Sequence, residues 1–216
     1  MEPRHEQIAR IALAAGARYG LALAGGYAVA AHGMGNRPVA MSTCLPAGSA
    51  AVSSPNWQPP SSPLEAAGYK VSVIMSAETF TRLTLASPEG STEEKVELAV
   101  DWRAHDPVQL AVGPVLHSDD AVANKVCALF GRALPRDFLD VDAAVMSGRY
   151  TREQLLELAA QADHGFDRLL FADALGALSQ ITDAAFAEYR SDPATIADMR
   201  HRFAQWRREL LAAEPG

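Results

Sequence analysis

The pattern of apolar positions predicts a mixed first half of the chain. Apolar residues at helical spacing predict a helix over 3–18. A short apolar run predicts a buried strand over 21–24, and a glycine pair then separates this strand from a helical stretch over 27–32. Alternating apolar and polar residues predict further strands at 69–75, 80–85 and 96–102, with a short edge strand at 108–112.

After Gly113 the apolar positions take the helical period. Ser118 is a predicted N-cap with acidic residues in the first turn, and Thr151 opens a capping box. The predicted helices cover 118–129, 136–146, a segment that begins at Thr151, 167–179, 182–189 and 195–211. We therefore predict an α+β chain. Residues 1–113 form an α/β domain with a small mixed or antiparallel sheet and flanking helices, and 114–216 form a helical domain.

One segment of the first half breaks the pattern. The stretch from Pro38 to Pro63 holds six of the thirteen prolines, and no charged residue occurs between Arg37 and Glu65. Proline removes backbone donors, and a chain without apolar periodicity has no face to bury. The sequence therefore predicts an irregular segment over 39–63.

Composition narrows the class of protein. The 216 residues carry a net charge of −7, so no global basic field attracts nucleic acid, and an RNA-binding surface would be a local patch. Basic residues at 200, 202, 207 and 208 could form one, although a solvated helix face is the commoner arrangement. Neither the two cysteines nor the histidines have metal-ligand spacing. The charged N-terminus and the lack of a long apolar run predict a cytoplasmic protein without membrane spans.

The stretch 21–37, LALAGGYAVAAHGMGNR, is the most informative part of the chain. A strand, a glycine pair and a helix N-terminus can bring backbone N–H groups up to a phosphate, because glycine leaves room for it. A tight turn without a ligand has the same pattern.

The amino-acid sequence of this stretch resembles the first motif of the AbiEii/AbiGii-type nucleotidyltransferase toxins. They are a branch of the DNA polymerase β-like nucleotidyltransferase superfamily that includes the mycobacterial MenT toxins. The resemblance implies a nucleotidyltransferase-type sheet and NTP binding at Gly25, Gly26 and Arg37. In the family the Arg leads directly into Asp-x-Asp-Leu-Phe, whose two aspartates bind the catalytic Mg²⁺.

Both aspartates are absent here, since Arg37 is followed by Pro-Val-Ala-Met-Ser-Thr-Cys-Leu-Pro. A reading frame that starts at the third base of the Val39 codon allows Asp-Val-Asp-Leu-Phe across the next codons. We therefore predict that about 39–63 is translated out of frame through a compensated pair of indels. A natural insertion is the alternative.

A third metal-binding carboxylate is expected on a neighbouring strand. Asp101 is the candidate, because a carboxylate on an otherwise apolar strand needs a partner or a metal. Glu97 shares its face and is the second choice. A solvated carboxylate, or a salt bridge to Arg103, is the alternative.

A second stretch, 120–142, resembles the later signature of the same family. Its residues match as the helical Lys125, the following Arg132, the pair Arg136-Asp137 and the last acid, Asp140. The resemblance implies that Lys125 and Arg132 bind the nucleotide, and that Asp137 or Asp140 assists the attacking hydroxyl or orients the basic residues. A structural cluster of salt bridges is the alternative.

The resemblance implies an enzyme that transfers NMP from an NTP to an RNA acceptor. The resemblance favours CTP or UTP as donor and a tRNA 3′ end as acceptor, with a cognate antitoxin as partner. Two alternatives remain: an inactive nucleotidyltransferase-fold protein that only binds a partner, and a nucleotidyltransferase for small molecules such as antibiotics, because a fold does not fix the acceptor.

Overall fold

The computed structural model describes residues 3–35, 41–46, 61–87, 89, 93–189 and 191–213, and within 41–46 only the side chain of Thr43. The chain divides into two compact units. The first, which we call the α/β unit, comprises Met1–Ala31 and Val39–His117. The second, which we call the helical unit, comprises His32–Pro38 and Ser118–Gly216.

The α/β unit is built on a seven-stranded mixed sheet with the order β3-β4-β5-β2-β1-β7-β6. Its strands are β1 (Ala22–Ala24), β2 (Met41–Pro46), β3 (Lys70–Ala77), β4 (Phe80–Ala86), β5 (Glu93–Asp101), β6 (Val108–Leu110) and β7 (Gly113–Val115). Its helices are α1 (Pro3–Ala15), α2 (Gly25–Ala31) and α3 (Ser61–Ala66), and a 3₁₀ turn covers Ala17–Tyr19. The predicted mixed sheet with flanking helices is therefore confirmed.

β2 corrects the expectation of an irregular segment over 39–63. Met41–Pro46 forms an inner strand of the sheet, parallel to β5 and antiparallel to β1. Ser61, Ser62 and Pro63 begin α3. The prediction gave the many prolines of the wider segment too much weight. None of them interrupts Met41–Leu45, and Pro46 is the last residue of β2.

The core of the α/β unit is formed by the apolar faces that the periodicity of the sequence predicts. One face of α1 is buried through Ile8, Ala9, Ala12 and Leu13, and α1 contacts β1, β7 and α3. Alternate residues of β4 and β5 point into the same core: Leu83, Leu85, Val96 and Leu98. A β-bulge between Val73 and Met75 breaks the predicted alternation of β3, so Met75 lies opposite Arg82 instead of the buried leucines.

The helical unit is a bundle around α4, which contacts α5, α6 and α7. Its helices are α4 (Ser118–Arg132), α5 (Pro135–Met146), α6 (Arg152–Ala162), α7 (Arg168–Gly176) and α8 (Pro193–Ala213), with 3₁₀ turns at Ala177–Gln180 and Asp183–Tyr189. Aromatic rings fill its core, among them Phe138 against Phe203 and Phe171 against Trp206, with ring centres 5.3 and 5.4 Å apart. The predicted helical second half is confirmed, although the helix expected at 182–189 is a 3₁₀ turn and the one expected at 167–179 ends in another.

Within the described ranges, no single helix is long and apolar enough to cross a membrane, and one bent helix pair, Arg168–Gln180 with Asp183–Tyr189, passes the test of length and composition.

Candidate active site

The predicted phosphate turn of the α/β unit lies between β1 and α2. Gly25 has a φ of +63°, which a residue with a side chain rarely adopts, and it begins α2 directly after Ala24. Gly26 is buried in the first turn of that helix. The strand–glycine–helix geometry predicted from sequence is therefore present. The predicted nucleotide ligand Arg37 lies outside the described residues.

Tyr27, the next residue, is held by a chain of polar contacts. Its hydroxyl contacts Nδ1 of His5 on α1, and Nε2 of His5 lies 2.7 Å from Oε2 of Glu94 on β5. Tyr27 is buried, so these contacts tie the first turn of α2 to a helix and a strand far away in sequence. Neither histidine spacing nor apolar periodicity indicated this network.

The predicted metal ligands on β5 are engaged by protein groups. Asp101 accepts a hydrogen bond of 2.9 Å from the backbone N–H of Trp102. Glu97 accepts two from the Arg82 guanidinium, at 3.0 and 2.7 Å. Arg103, the suggested salt-bridge partner of Asp101, donates a hydrogen bond of 3.0 Å to the Gly20 carbonyl.

β2 supplies no carboxylate beside these residues. Ser42 lies opposite Glu97, and Pro46 lies opposite Asp101. Mg²⁺ requires several oxygen ligands, usually including one or two carboxylates that are free to bind it. The described residues of the α/β unit therefore do not fit the family's Mg²⁺ centre.

In the helical unit, Lys125 and Asp140 form a buried ion pair between α4 and α5. Lys125 Nζ lies 2.9 Å from an Asp140 carboxylate oxygen, and the side chains are 9% and 5% exposed. The two residues are fifteen positions apart and lie on different helices. Helical spacing, which relates residues three or four positions apart, therefore could not predict this pairing. The geometry fits a carboxylate that orients the lysine.

Asp137 has the same relation to Arg132. The guanidinium donates two hydrogen bonds of 2.8 Å to the Asp137 carboxylate, which also accepts one of 3.2 Å from the Leu134 N–H at the start of α5. Asp137 is fully buried, whereas the Arg132 side chain is 46% exposed. The tight turn between α4 and α5 includes Ala133, whose φ of +48° is unusual for a residue with a side chain. Asp137 thus anchors the arginine and caps α5.

Some polar residues were not singled out by sequence reasoning. The Tyr150 hydroxyl donates a hydrogen bond of 2.6 Å to Asp119, beside a cavity of about 370 Å³. Burial, and then this hydrogen bond, raise the pKa of Tyr150 to about 12. In the α/β unit the rings of His105 and His117 stack with centres 4.4 Å apart. Residues far apart in sequence supply these contacts, so no local spacing reveals them.

Most of the basic run on α8 is structural. Arg202 binds Asp142 through two hydrogen bonds, of 2.8 and 2.7 Å, and Arg200 donates to the carbonyls of Leu178 and Ile181. Arg207 donates to the carbonyl of Ala172. These arginines hold α8 to the bundle, which disfavours an RNA-binding role for the run.

No family model matches the chain, and no curated protein sequence matches it. Among solved structures, JHP933 from Helicobacter pylori is 15% identical, with 97% of this chain and 93% of that chain covered and a TM-score of 0.57. The nucleotidyltransferase toxin MenT4 from Mycobacterium tuberculosis is 17% identical, with 97% and 91% covered and a TM-score of 0.57. The antibiotic-resistance factor ANT(2'')-Ia is 16% identical, with 83% and 97% covered and a TM-score of 0.50. The chain therefore has a MenT-like nucleotidyltransferase fold, as the sequence motifs predicted.

Proposed function

We propose that the chain is a toxin-type nucleotidyltransferase, which transfers NMP from an NTP to an RNA acceptor. The observation that carries the proposal is the likeness to a nucleotidyltransferase toxin over 97% of this chain. We further propose a tRNA 3′ end as acceptor, CTP or UTP as donor, an antitoxin as partner and a cytoplasmic location. These finer points rest on the two motifs that resemble the family.

The chemistry requires positioning and charge neutralisation. An acceptor hydroxyl attacks the α-phosphate of the NTP, and pyrophosphate leaves. In our proposal the backbone of Gly25 and Gly26 approaches a phosphate of the NTP. The resemblance also assigns nucleotide binding to Lys125, Arg132 and Arg37. Asp140 and Asp137 take the orienting role, because each is buried against its cation.

The metal-binding part of the proposal concerns β2. Mg²⁺ would supply charge neutralisation at the phosphates, but the present chain has no Asp pair to hold it. We propose that 39–63 is read out of frame and that the corrected segment carries Asp-Val-Asp-Leu-Phe. The inner strand Met41–Pro46 supports this proposal. Residues two apart on a strand lie on the same face, so both aspartates of Asp-Val-Asp would point the same way and could bind one metal ion.

A small-molecule acceptor is the second candidate. The likeness to the antibiotic-resistance factor ANT(2'')-Ia favours it, although that structure covers less of this chain than MenT4 does. The third candidate, an inactive fold that only binds a partner, is favoured by the missing Asp pair. Nucleotide binding and nucleotide transfer separate these candidates.

Nucleotide binding tests the role of Lys125. We expect Lys125→Ala to abolish the residual NTP binding of the chain, because a positive charge facing the triphosphate is lost. Isothermal titration with CTP, UTP, ATP and GTP measures it. Lys95→Ala, which removes an exposed lysine of β5, is the matched control and should leave binding unchanged. Equal affinity in the Lys125 variant would return this residue to a structural role.

The glycine turn is tested by Gly26→Val. We expect this variant to weaken nucleotide binding more than it weakens folding, because the added side chain lies where a phosphate would approach the backbone. Titration with NTP is compared with thermal unfolding of the same samples. Normal NTP binding by the folded variant would show that this turn holds no phosphate.

A further inference from the structure

One edge of the sheet in the α/β unit is open and apolar. β3 is the terminal strand, and three consecutive side chains on it, Val73, Ile74 and Met75, are 55%, 60% and 49% exposed. A terminal strand also presents backbone N–H and C=O groups that β4, its one neighbour among the described strands, cannot satisfy. Natural proteins usually protect such an edge with charges, proline or a bulge, because it can pair with another chain.

The charges of this edge stand at its two ends. Lys70 begins β3, and Glu78 follows its last residue. Both side chains are exposed, and neither forms an ion pair with another residue in the described part of the chain. Between them the edge carries only apolar residues and serines.

The spacing of these residues is self-complementary. Lys70 and Glu78 each lie four positions from Ile74. In an antiparallel pair of two identical strands centred on Ile74, Lys70 therefore faces Glu78 of the second copy, and Val73 faces Met75. Ser72 likewise faces Ser76. Each pair across the axis therefore joins two apolar residues, two serines or two residues of opposite charge.

We propose that β3 pairs with β3 of a second copy of this chain, in an antiparallel arrangement centred on Ile74. The contact is isologous, because the same surface of each copy is used around one twofold axis. Main-chain hydrogen bonds and the exposed Val73, Ile74 and Met75 supply the attraction, and the Lys70–Glu78 pairs fix the register. This inference does not depend on the proposed enzymatic function.

The β-bulge is compatible with this arrangement. A bulge bends a strand and often discourages edge pairing. The extra residue here is Ile74, between Val73 opposite Leu83 and Met75 opposite Arg82. It lies on the twofold axis, so the two bulges meet each other, and regular strand flanks them on both sides. Because only one short strand per copy is involved, the dimer is weak and reversible.

Sedimentation equilibrium of the full chain tests the dimer. We expect a mass that rises with concentration from one chain toward two. Ile74→Lys places two cations together on the axis and should leave the protein monomeric. Circular dichroism and thermal unfolding of each variant verify that the exposed substitutions leave the fold intact.

Charge swaps test the register. Glu78→Lys and Lys70→Glu should each weaken association by roughly tenfold, because two attractive pairs become repulsive. The double variant Lys70→Glu/Glu78→Lys restores both pairs and should return association to within about threefold of the original. Glu188→Lys, on an exposed position of the helical unit, makes the same change of net charge as Glu78→Lys and should have no effect.

Three results would overturn the proposal. A chain that stays monomeric at every concentration would mean that this edge does not accept a second copy. A dimer unaffected by Ile74→Lys would use another surface. A dimer that both single charge swaps weaken but the double variant does not restore would have a different register.

Discussion

Lys125 illustrates what residue types and spacing can and cannot predict. Its place in a family-like stretch marked it as a candidate, whereas its separation from Asp140 along the chain gave no sign of their pairing. The direct ion pair between them, at 2.9 Å with both groups buried, depends on how α4 and α5 pack. Sequence predicted the participants, whereas packing decides that Asp140 serves the lysine and Asp137 serves Arg132.

Removing one partner of the Lys125–Asp140 pair should destabilise the protein. Lys125→Met leaves a buried carboxylate without its cation, and we expect a loss of about 3–5 kcal/mol in the free energy of unfolding. The double variant Lys125→Met/Asp140→Leu should lose much less than the sum of the two single changes. Urea unfolding measures all three.

An exposed pair provides the control for this experiment. Arg168 and Glu153 are 45% and 56% exposed, so Glu153→Gln should change stability by less than about 1 kcal/mol. If Lys125→Met were as mild as this control, the pair would not be buried and would not orient the lysine.

Tyr150 should remain protonated in alkaline solution. Burial and the hydrogen bond to Asp119 raise its pKa from 10.0 to about 12. The folded state then holds this proton more tightly than the unfolded state, so the stabilising contribution is complete below pH 10 and is lost as the pH rises toward 12. Ultraviolet titration of the chain against Tyr150→Phe isolates this one tyrosine among five. If the difference between the two titration curves had its midpoint near pH 10, the expectation would be contradicted.

At the scale of elements, β2 shows where local patterns mislead. The sequence analysis predicted an irregular segment from the many prolines of the wider stretch. It missed the strand because Met41–Leu45 has no alternation of apolar and polar residues. β2 is an inner strand, and pairing with β1 and β5 on both sides satisfies its backbone. Long-range pairing of this kind is invisible to a local window, whereas the capping box at Thr151 is local and was predictable.

The segment that follows α2 gives an element-scale prediction. Gly35 has a φ of +78°, and a Cβ built on it would lie 2.9 Å from the Ala143 Cβ of α5. Gly35→Ala should therefore destabilise the helical unit by roughly 1–3 kcal/mol through backbone strain and overpacking. Thermal unfolding measures the effect.

Gly131, near the end of α4, is the matched control for that change. No atom lies within 4 Å of a Cβ built there, and its φ is not in the left-handed region. Gly131→Ala should leave stability unchanged or raise it by up to about 1 kcal/mol, because alanine favours a helix. Equal destabilisation by both substitutions would show that Gly35 does not make the close approach to Ala143.

At the scale of the molecule, the chain combines a nucleotidyltransferase fold with a sequence that lacks the Asp pair expected from the family. The glycine turn and the carboxylates of β5 belong to the α/β unit, and the Lys125 and Arg132 pairs belong to the helical unit. Sequence motifs predicted the fold because two of them occur in the family's order. The same motifs showed that two metal-binding aspartates are missing. The strand β2 is formed at Met41–Pro46, but its sequence contains no aspartate.

Transfer of labelled nucleotide tests this account most directly. The present chain is compared with a repaired chain in which 39–63 is replaced by the in-frame reading with Asp-Val-Asp-Leu-Phe, and with a repaired chain whose two aspartates are changed to asparagine. Each is incubated with Mg²⁺, total tRNA and each labelled NTP, and the products are separated on a gel. Loss of a whole metal-binding unit costs several kcal/mol, and each roughly 1.4 kcal/mol is tenfold in rate.

We predict no detectable transfer by the present chain, transfer to tRNA by the repaired chain, and none by its asparagine variant. Robust transfer by the present chain would contradict the claim that its metal-binding pair is missing. No transfer to tRNA by the repaired chain would contradict the proposed activity and would favour a binding role or a different acceptor.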